Sequence, residues 1–306
     1  MSAVTAVPGG PEAAIRKAGS IRVRSPLFVL LFALLTLLAA VLAFPGQFAA
    51  HAPDATEVAA ALRPPDAHHW MGTDQLGRDV YARLVHGTRL SVLIAVGATV
   101  IGVGGGALLG LLSACGGRHT DFALMRVVEV LLSFPELLLA LLVVALLGGG
   151  TLNVALALGL AGVPSYARLV RGQARLVLSS EYVEAAQVLG VRRWRIVLRH
   201  VLPNVGGPLV VLASIGLGST IVAGAGLSVL GLGPVPPAAD WGSMIADGKD
   251  FLQTAWWISV FPGLAVTVVV VATTLIGRRL QPAMWTGMIA RVLGVTAAAV
   301  ASMSRQ

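Results

Sequence analysis

The chain has 306 residues, of which 56% are hydrophobic and 12% are charged, about half the charged fraction of a soluble domain. Its formal net charge is +8, but the basic residues lie between apolar runs and form no patch with interleaved aromatics, so nucleic-acid binding is not indicated. The single cysteine, Cys115, excludes an intrachain disulfide and a cysteine-based metal centre. The composition therefore predicts a membrane protein.

Six apolar stretches are long enough to cross a bilayer, which requires about 20 apolar residues in a helix. Because lipid offers the backbone no hydrogen-bond partners, each stretch should be helical, and the chain is expected to be an all-α polytopic membrane protein. The first stretch is longer than the apolar region of a signal peptide, so we interpret it as an uncleaved helix. The predicted spans are Leu27–Phe44, Leu90–Ala114, Leu124–Leu147, Thr151–Val170, Val205–Leu232 and Ala255–Gly277.

The second span is rich in glycine, at Gly102, Gly104, Gly105, Gly106 and Gly110. Small residues allow helices to approach each other closely in a membrane. These glycines therefore predict either tight packing against another span or a lipid-facing helix that merely tolerates glycine.

The distribution of basic residues predicts that both termini lie in the cytoplasm. With that orientation, 17 of the 22 lysines and arginines fall in inner segments, and five fall in outer segments. Residues 1–26 would then be a cytoplasmic segment and residues 281–306 a cytoplasmic tail. The tail contains Arg291 within its apolar part and is expected to stay outside the bilayer, because a central arginine is costly there.

The membrane domain, residues 27–280, would have two sizeable outer loops, at residues 45–89 and 234–254, and one large inner loop at residues 172–204. Prolines and aspartates mark both outer loops as polar, non-spanning structure. The inner loop is charged and prone to form helices.

Several kinds of chemistry are absent from the sequence. Neither Lys17 nor Lys249 lies in a phosphate-binding loop motif, so the chain is not expected to hydrolyse ATP itself, and no catalytic residue is predicted. His68 and His69 are adjacent and would point to different sides, so no metal site is predicted. Glu136 follows Pro135 in the third span, where the proline is expected to kink the helix and free backbone carbonyls. A charged group inside a membrane is a candidate to line a pathway.

The inner loop predicts a helical hairpin on the cytoplasmic membrane surface. Ser180 is a suitable N-cap, and acidic residues follow in the first turn, where the helix dipole favours them. Gly190 is placed to end this helix, and a basic second helix leads to Pro203 at the start of the fifth span. Ala185 and Ala186 give the first helix a small face that can seat in a groove of a partner protein.

This hairpin resembles the EAA coupling loop of ATP-binding-cassette importer permeases. The resemblance rests on Glu184-Ala185-Ala186, then Gly190 after three residues, and Leu202-Pro203 at the expected distance. His200 stands where many members carry isoleucine. The Arg199–Asn204 version of the motif is typical of the dipeptide and oligopeptide branch.

A second signature of that branch precedes the second span. It reads Gly72-Thr73-Asp74-Gln75-Leu76-Gly77-Arg78-Asp79 and continues through Arg83 and Arg89 to Ser91. The likeness covers roughly Leu27–Pro282, with departures at Gly224, Thr274 and Arg278. The chain is similar to the C-type permease subunit of such systems.

The resemblance implies a type I importer permease fold in a bacterial cell membrane. A second, homologous permease would complete the pathway, and an extracytoplasmic binding protein would deliver the substrate. One or two cytoplasmic ATPase subunits, or a fused one, would bind ATP and Mg²⁺, and this chain would carry no cofactor. The residues implied to couple to the ATPase are Glu181, Tyr182, Glu184, Ala185, Ala186, Gly190, Arg192, Arg193, Trp194, His200 and Pro203.

The second signature is expected to shape the outer mouth or to dock the binding protein. Its residues are Gly72, Thr73, Asp74, Gly77, Arg78, Asp79 and Arg89. A local fold in which Asp74, Arg78 and Asp79 pair with one another is compatible with the same sequence.

Two other functions are left open by the sequence. A permease of the same kind could carry nickel, a metal chelate or haem. A stand-alone secondary transporter or channel would be expected to show intramembrane acids or inverted repeats, and only Glu129 and Glu136 lie inside a predicted span.

Overall fold

The computed structural model describes residues 26–49 and 51–278, so the predicted cytoplasmic tail and nearly all of the N-terminal segment lie outside the described part. Regular structure in this part is helical apart from one isolated bridge between Thr73 and Asp79, as the all-α prediction requires. The α-helices are α1 (Pro26–Ala43), α2 (Pro45–Phe48), α3 (Val80–Cys115), α4 (Arg118–Leu132), α5 (Glu136–Leu147), α6 (Thr151–Leu178), α7 (Glu181–Val188), α8 (Arg193–Ile196), α9 (Leu202–Val229), α10 (Trp241–Gly248) and α11 (Trp257–Arg278).

Within the described residues, four helical stretches are long and apolar enough to cross a membrane. They are α3, α6, the stretch Arg193–Val229 that joins α8 to α9, and α11. The bent pair α4 and α5 raises the number to five if it counts as one span. Helix α1 occupies the predicted first span. The count of six spans remains a prediction.

Helix α3 begins ten residues before the predicted span, so the outer loop predicted at residues 45–89 is interrupted by helix from Val80 onwards. The cause is a local cap. An Asp79 carboxylate oxygen accepts a hydrogen bond from the backbone N–H of Tyr81 at 3.0 Å, which satisfies one of the unpaired donors of the first turn. Arg83, His86 and Arg89 interrupt the apolar pattern of these turns, so the sequence placed the start of the span at Leu90.

The third predicted span, Leu124–Leu147, is wrong as one continuous helix. Helices α4 and α5 meet at an angle of 93° across Ser133, Phe134 and Pro135. Proline lacks a backbone N–H and disfavours a helical conformation in the preceding residue, so the helix ends before Pro135 and restarts at Glu136. Helix α4 therefore runs almost perpendicular to α5.

Helices α3 and α6 form the tightest pair in the bundle because glycines allow their backbones to meet. A Cβ atom added at Gly106 would lie 2.3 Å from the Tyr166 Cβ, and one added at Gly110 would lie 2.7 Å from the Ala167 carbonyl oxygen. Gly102 is also buried against α6. An added Cβ at Gly104 would meet nothing within 4 Å. The packing explanation therefore holds for the stripe Gly102, Gly106 and Gly110, but not for Gly104.

The second outer loop packs on the start of α3. Asp240 caps α10 together with Ser243, and the Trp241 indole N–H donates to the Leu84 carbonyl at 3.1 Å. The Trp241 backbone N–H donates to the Ser91 hydroxyl at 3.0 Å. These bonds bring the two polar loops, which are 150 residues apart in the chain, to one end of the bundle.

Candidate functional site

The hairpin predicted in the inner loop is formed by α7 and α8. Gly190 has a φ of +77°, and the N–H groups of Gly190 and Val191 donate to the Gln187 and Ala186 carbonyls, each at 3.0 Å. This double hydrogen bond is a Schellman motif, which uses glycine for its left-handed residue. The predicted cap at Ser180 is wrong in one respect: Ser180 holds the N-cap position, but its hydroxyl donates to the Val177 carbonyl instead.

Two side chains anchor the hairpin to the bundle. Val183 of α7 is 0% exposed and Ile196 of α8 is 1% exposed. Both pack into a cluster contributed by the end of α6 and the start of α9. The other buried members are Val170, Ala174, Val177, Val201 and Val205. Val183 and Ile196, the feet of the hairpin, are therefore fixed in the apolar core.

The tip of the hairpin is apolar and unpaired with the rest of the described chain. Val188 and Leu189 are 88% and 83% exposed, and Trp194 is 55% exposed. Exposed apolar residues that cluster at one site commonly mark a surface for a partner. The Arg195 guanidinium lies 5.3 Å from the Trp194 ring centre and keeps that ring beside the basic residues.

The residues predicted to couple to an ATPase all lie on this hairpin or at its base. His200 lies in a π-helical turn, Val197–Val201, with its ring 5.7 Å from that of Tyr182, and Pro203 occupies the first turn of α9. His200 and Ala186 are half-buried. The exposed members are Glu181, Tyr182, Glu184, Ala185, Gly190, Arg192, Arg193, Trp194 and Pro203.

A second polar cluster at the same end of the bundle was missed by the sequence analysis. Asp121 of α4 accepts hydrogen bonds from Arg171 Nε at 2.6 Å, Arg171 Nη2 at 2.8 Å and Arg175 Nη2 at 2.6 Å, and a further bond from the Ser113 hydroxyl. These donors hold the pKa of Asp121 well below its ordinary value, Arg171 contributing most. The interval of four residues between Arg171 and Arg175 on α6 was the one feature of the sequence that could have indicated this cluster.

The outer signature folds into a buried ion-pair network. Asp74 accepts backbone N–H bonds from Leu76 and Arg78 through one oxygen, and through the other it pairs with Arg78 Nε at 2.6 Å and Arg83 Nε at 3.7 Å. Asp247, from the second outer loop, lies 3.6 Å from Arg78 Nη2. Burial, the largest influence, raises the pKa of Asp247, and both arginines oppose that shift.

Glycines make the tight turns of the outer signature possible, and Thr73 anchors it. Gly72 and Gly77 have positive φ values of 72° and 74°. Thr73 is fully buried, donates its hydroxyl to the Ala60 carbonyl, and accepts the Trp257 indole N–H through its own carbonyl at 3.0 Å. The motif is therefore tied to the start of α11.

Two residues of this signature behave differently from the expectation. Asp79 is buried but faces His51 and His69 and not Arg78. Arg89 lies exposed on α3, ten residues beyond the helix cap, and is not among the ion pairs of the network. Arg83, Asp54 and Asp247 take part in the network instead. Asp247 is distant in the chain, so no spacing could have revealed it.

Glu136 lies at the break between α4 and α5 and lines a cavity of about 180 Å³. Hydroxyl groups on α3, α6 and α9 face the same cavity. They belong to Thr99, Ser165, Tyr166, Ser219 and Thr220. One carboxylate among hydroxyls in an otherwise apolar bundle is an arrangement that can bind a polar or cationic solute. The pathway role of Glu136 remains a prediction.

Comparison with known proteins agrees with this architecture. A family model described as "Binding-protein-dependent transport system inner membrane component" matches residues 106–286. The chain is 39% identical over 255 residues to the probable D,D-dipeptide transport system permease protein DdpC of Escherichia coli, covering 83% of this chain and 85% of the relative. It is also 39% identical to the di/tripeptide transport system permease protein DppC of Pseudomonas aeruginosa, covering 71% and 72%.

Among solved structures, the MetNI methionine ABC transporter in inward-facing conformations superposes with a TM-score of 0.54. The identity is 19%, and the match covers 66% of this chain and 95% of that one. This likeness concerns the fold.

Proposed function

We propose, from the premise that this chain belongs to the family of binding-protein-dependent transport system inner membrane components, that it imports dipeptides and oligopeptides. The chain is a membrane permease of an ATP-driven importer, and such permeases work with an ATPase and a substrate-binding partner. In the proposed assembly it forms half of the pathway beside a second, homologous permease. One or two ATPase subunits supply the energy from the cytoplasm and bind ATP and Mg²⁺.

The observation that carries the coupling role is the form of the hairpin. Its feet, Val183 and Ile196, are locked in the core, whereas its tip exposes Val188 and Leu189 almost fully. A hairpin with a rigid base and an apolar tip can transmit a displacement from a partner to the bundle without deforming. Burial of a valine side chain contributes about 1.5–3 kcal/mol, so the tip alone can supply a substantial part of the docking energy.

Peptide cargo is supported by the relatives and by the cavity. The names of the matched relatives refer to dipeptides and to di- and tripeptides. The carboxylate of Glu136 can bind the ammonium group of a peptide N-terminus, and the surrounding hydroxyls can bond to peptide amides. The binding protein is expected to make the main choice of substrate.

The coupling proposal is tested by Val188→Asp in the complex assembled with its ATPase. An aspartate buried in the docking surface would lose the apolar contact and add an unpaired charge, so we expect at least a tenfold loss of substrate-stimulated ATP hydrolysis and of uptake. The matched control is Val235→Asp, because Val235 is 71% exposed but lies in the outer loop at the opposite end of the bundle. Equal activity of the two variants would refute coupling through this tip.

The cargo proposal is tested by uptake in proteoliposomes with the cognate binding protein. Labelled di- and tripeptides should enter in an ATP-dependent manner, and nickel, a metal chelate or haem should not. Uptake of one of the latter three with no peptide uptake would contradict the proposed cargo. Uptake without any ATPase would indicate a stand-alone transporter.

A further inference from the structure

We propose that His51, His69 and Asp79 form a binding site for a divalent cation of the zinc class at the outer end of the bundle. This inference goes beyond transport and does not depend on the cargo. The sequence analysis predicted no metal site, because it considered His68 as the only partner of His69. The fold instead brings His69 next to His51, which lies 18 positions earlier, and next to the helix cap Asp79.

The three ligand atoms are already close to each other. His51 Nδ1 lies 3.0 Å from Asp79 Oδ2, and His69 Nδ1 lies 3.9 Å from the same oxygen. All three atoms lie within 4.8 Å of one another. Ligands of one tetrahedral Zn²⁺ ion are about 3.4 Å apart, given metal–ligand distances of about 2.0–2.2 Å. Small side-chain movements would therefore complete the site.

Two of the three ligands, Asp79 and His69, are held in place by contacts that leave the metal-binding atom available. One Asp79 oxygen caps α3 through Tyr81, so the other is free to face the histidines. The loop that carries His69 is fixed because the Asp66 carboxylate accepts the His69 backbone N–H at 2.6 Å, and the His69 carbonyl accepts the Gly72 N–H at 2.9 Å. Ligands that are positioned in this way bind a metal ion more tightly than mobile ligands do.

Two further observations point to a cation. His69 Nδ1 is buried and, within the part of the chain that the structure describes, has no hydrogen-bond partner, although a buried polar atom normally has one. In addition, the neighbouring network contains more carboxylates than guanidinium groups. Among the described residues, three aspartates, Asp54, Asp74 and Asp247, pair with two arginines, Arg78 and Arg83. The Asp79 carboxylate beside them pairs only with the two histidines. A divalent cation at Asp79 would balance this excess.

The chemistry of the ligands selects the class of cation. Two imidazoles and one carboxylate suit Zn²⁺ and similar borderline ions better than Mg²⁺ or Ca²⁺, which prefer oxygen ligands only. His51 is about half exposed, so the ion can enter from the outer solution. Once bound, it would tie the loop that carries His51 to the start of α3.

The test measures Zn²⁺ binding by the full chain, purified in detergent with a tag that contains no histidine, by titration calorimetry and by the absorption spectrum of bound Co²⁺. We expect one ion per chain. Affinity should fall at least tenfold in His51→Ala and His69→Ala, because even the loss of an outer-shell partner costs 10–100-fold. Asp79→Asn should also bind weakly, although asparagine can still cap the helix.

The matched control is His68→Ala, which removes an exposed imidazole beside the site. It should bind Zn²⁺ as the unaltered chain does. The proposal is overturned if the unaltered chain binds no Zn²⁺, if His51→Ala and His69→Ala bind as tightly as it does, or if His68→Ala loses as much affinity as they do. His51→Ala changes a half-exposed side chain, so its metal-free melting temperature should match that of the unaltered chain.

Discussion

Replacement of Gly106 by alanine should separate the α3–α6 pair and destabilise the whole bundle. The added methyl carbon would lie 2.3 Å from the Tyr166 Cβ and 2.9 Å from the Ala167 backbone nitrogen. Carbon atoms are in contact at about 3.5–4.0 Å, so the helices must move apart by more than about 1 Å. Backbone cannot yield as a flexible side chain does, and overpacking of a well-packed core typically costs about 1–3 kcal/mol.

Gly104→Ala is the matched control, because a methyl group there meets nothing within 4 Å. Alanine also stabilises a helix interior by about 1 kcal/mol relative to glycine. Gly104→Ala should therefore leave stability unchanged or raise it, and Gly106→Ala should be less stable than Gly104→Ala. Because both variants gain the same helix propensity, they should differ by the overpacking cost of about 1–3 kcal/mol. Unfolding of the purified chain by denaturing detergent in mixed micelles would measure the difference. If Gly106→Ala proved as stable as Gly104→Ala, the close approach of α3 and α6 would be refuted.

Two further predictions concern the ends of the bundle. Asp121→Asn should lower the free energy of unfolding by about 1.5–3 kcal/mol, because it weakens the hydrogen bonds to Arg171. The control Glu129→Gln breaks only an exposed ion pair and should change the free energy of unfolding by no more than about 0.5 kcal/mol. Because the folded pKa of Asp121 is lowered, its contribution is present above the ordinary value of 3.8 and is lost as the pH falls below it, so the Asp121→Asn variant should lose less stability on acidification. Gly190→Ala should lower the stability of the fold by about 1–2 kcal/mol through its positive φ alone, because nothing lies within 4 Å of the added carbon. Gly190→Asn should recover most of that stability. Gly77→Ala should cost more stability, because its methyl group also meets the Glu57 carbonyl oxygen. Equal melting temperatures for Gly190→Ala and Gly77→Ala would contradict this reasoning.

Local chemistry in the sequence was enough to predict several of the long helices and the hairpin. The apolar runs place α6, α9 and α11, and Gly190 marks the end of α7 because glycine readily adopts the left-handed conformation that a Schellman motif needs. Proline was less well interpreted. Pro135 was expected to kink a continuous span, whereas the structure shows a right-angled break with Glu136 at the restart.

Long-range pairing could not be predicted from spacing. Asp247 reaches Arg78 and Arg83 from 160 or more positions away in the chain, and His51 reaches Asp79 only because the intervening loop turns back. Neither contact leaves a periodic signal. The excess of outer aspartates was visible, but their partners depended on how α10 packs against α3.

The path from the hairpin to the cavity follows a single helix. Val170, Ala174 and Val177 of α6 receive the buried feet of the hairpin, and Tyr166, one turn earlier, lines the cavity beside Glu136. At 1.5 Å per residue, Tyr166 lies only about 17 Å along the helix from Val177. The same helix is packed closely against α3 at Gly106 and Gly110. A force on the hairpin would therefore move α3 and α6 together and would not bend α6 alone. In the proposed importer, an ATPase that pulls the hairpin would therefore change the shape of the cavity directly, and loosening the glycine contact should weaken coupling even where the hairpin itself is intact.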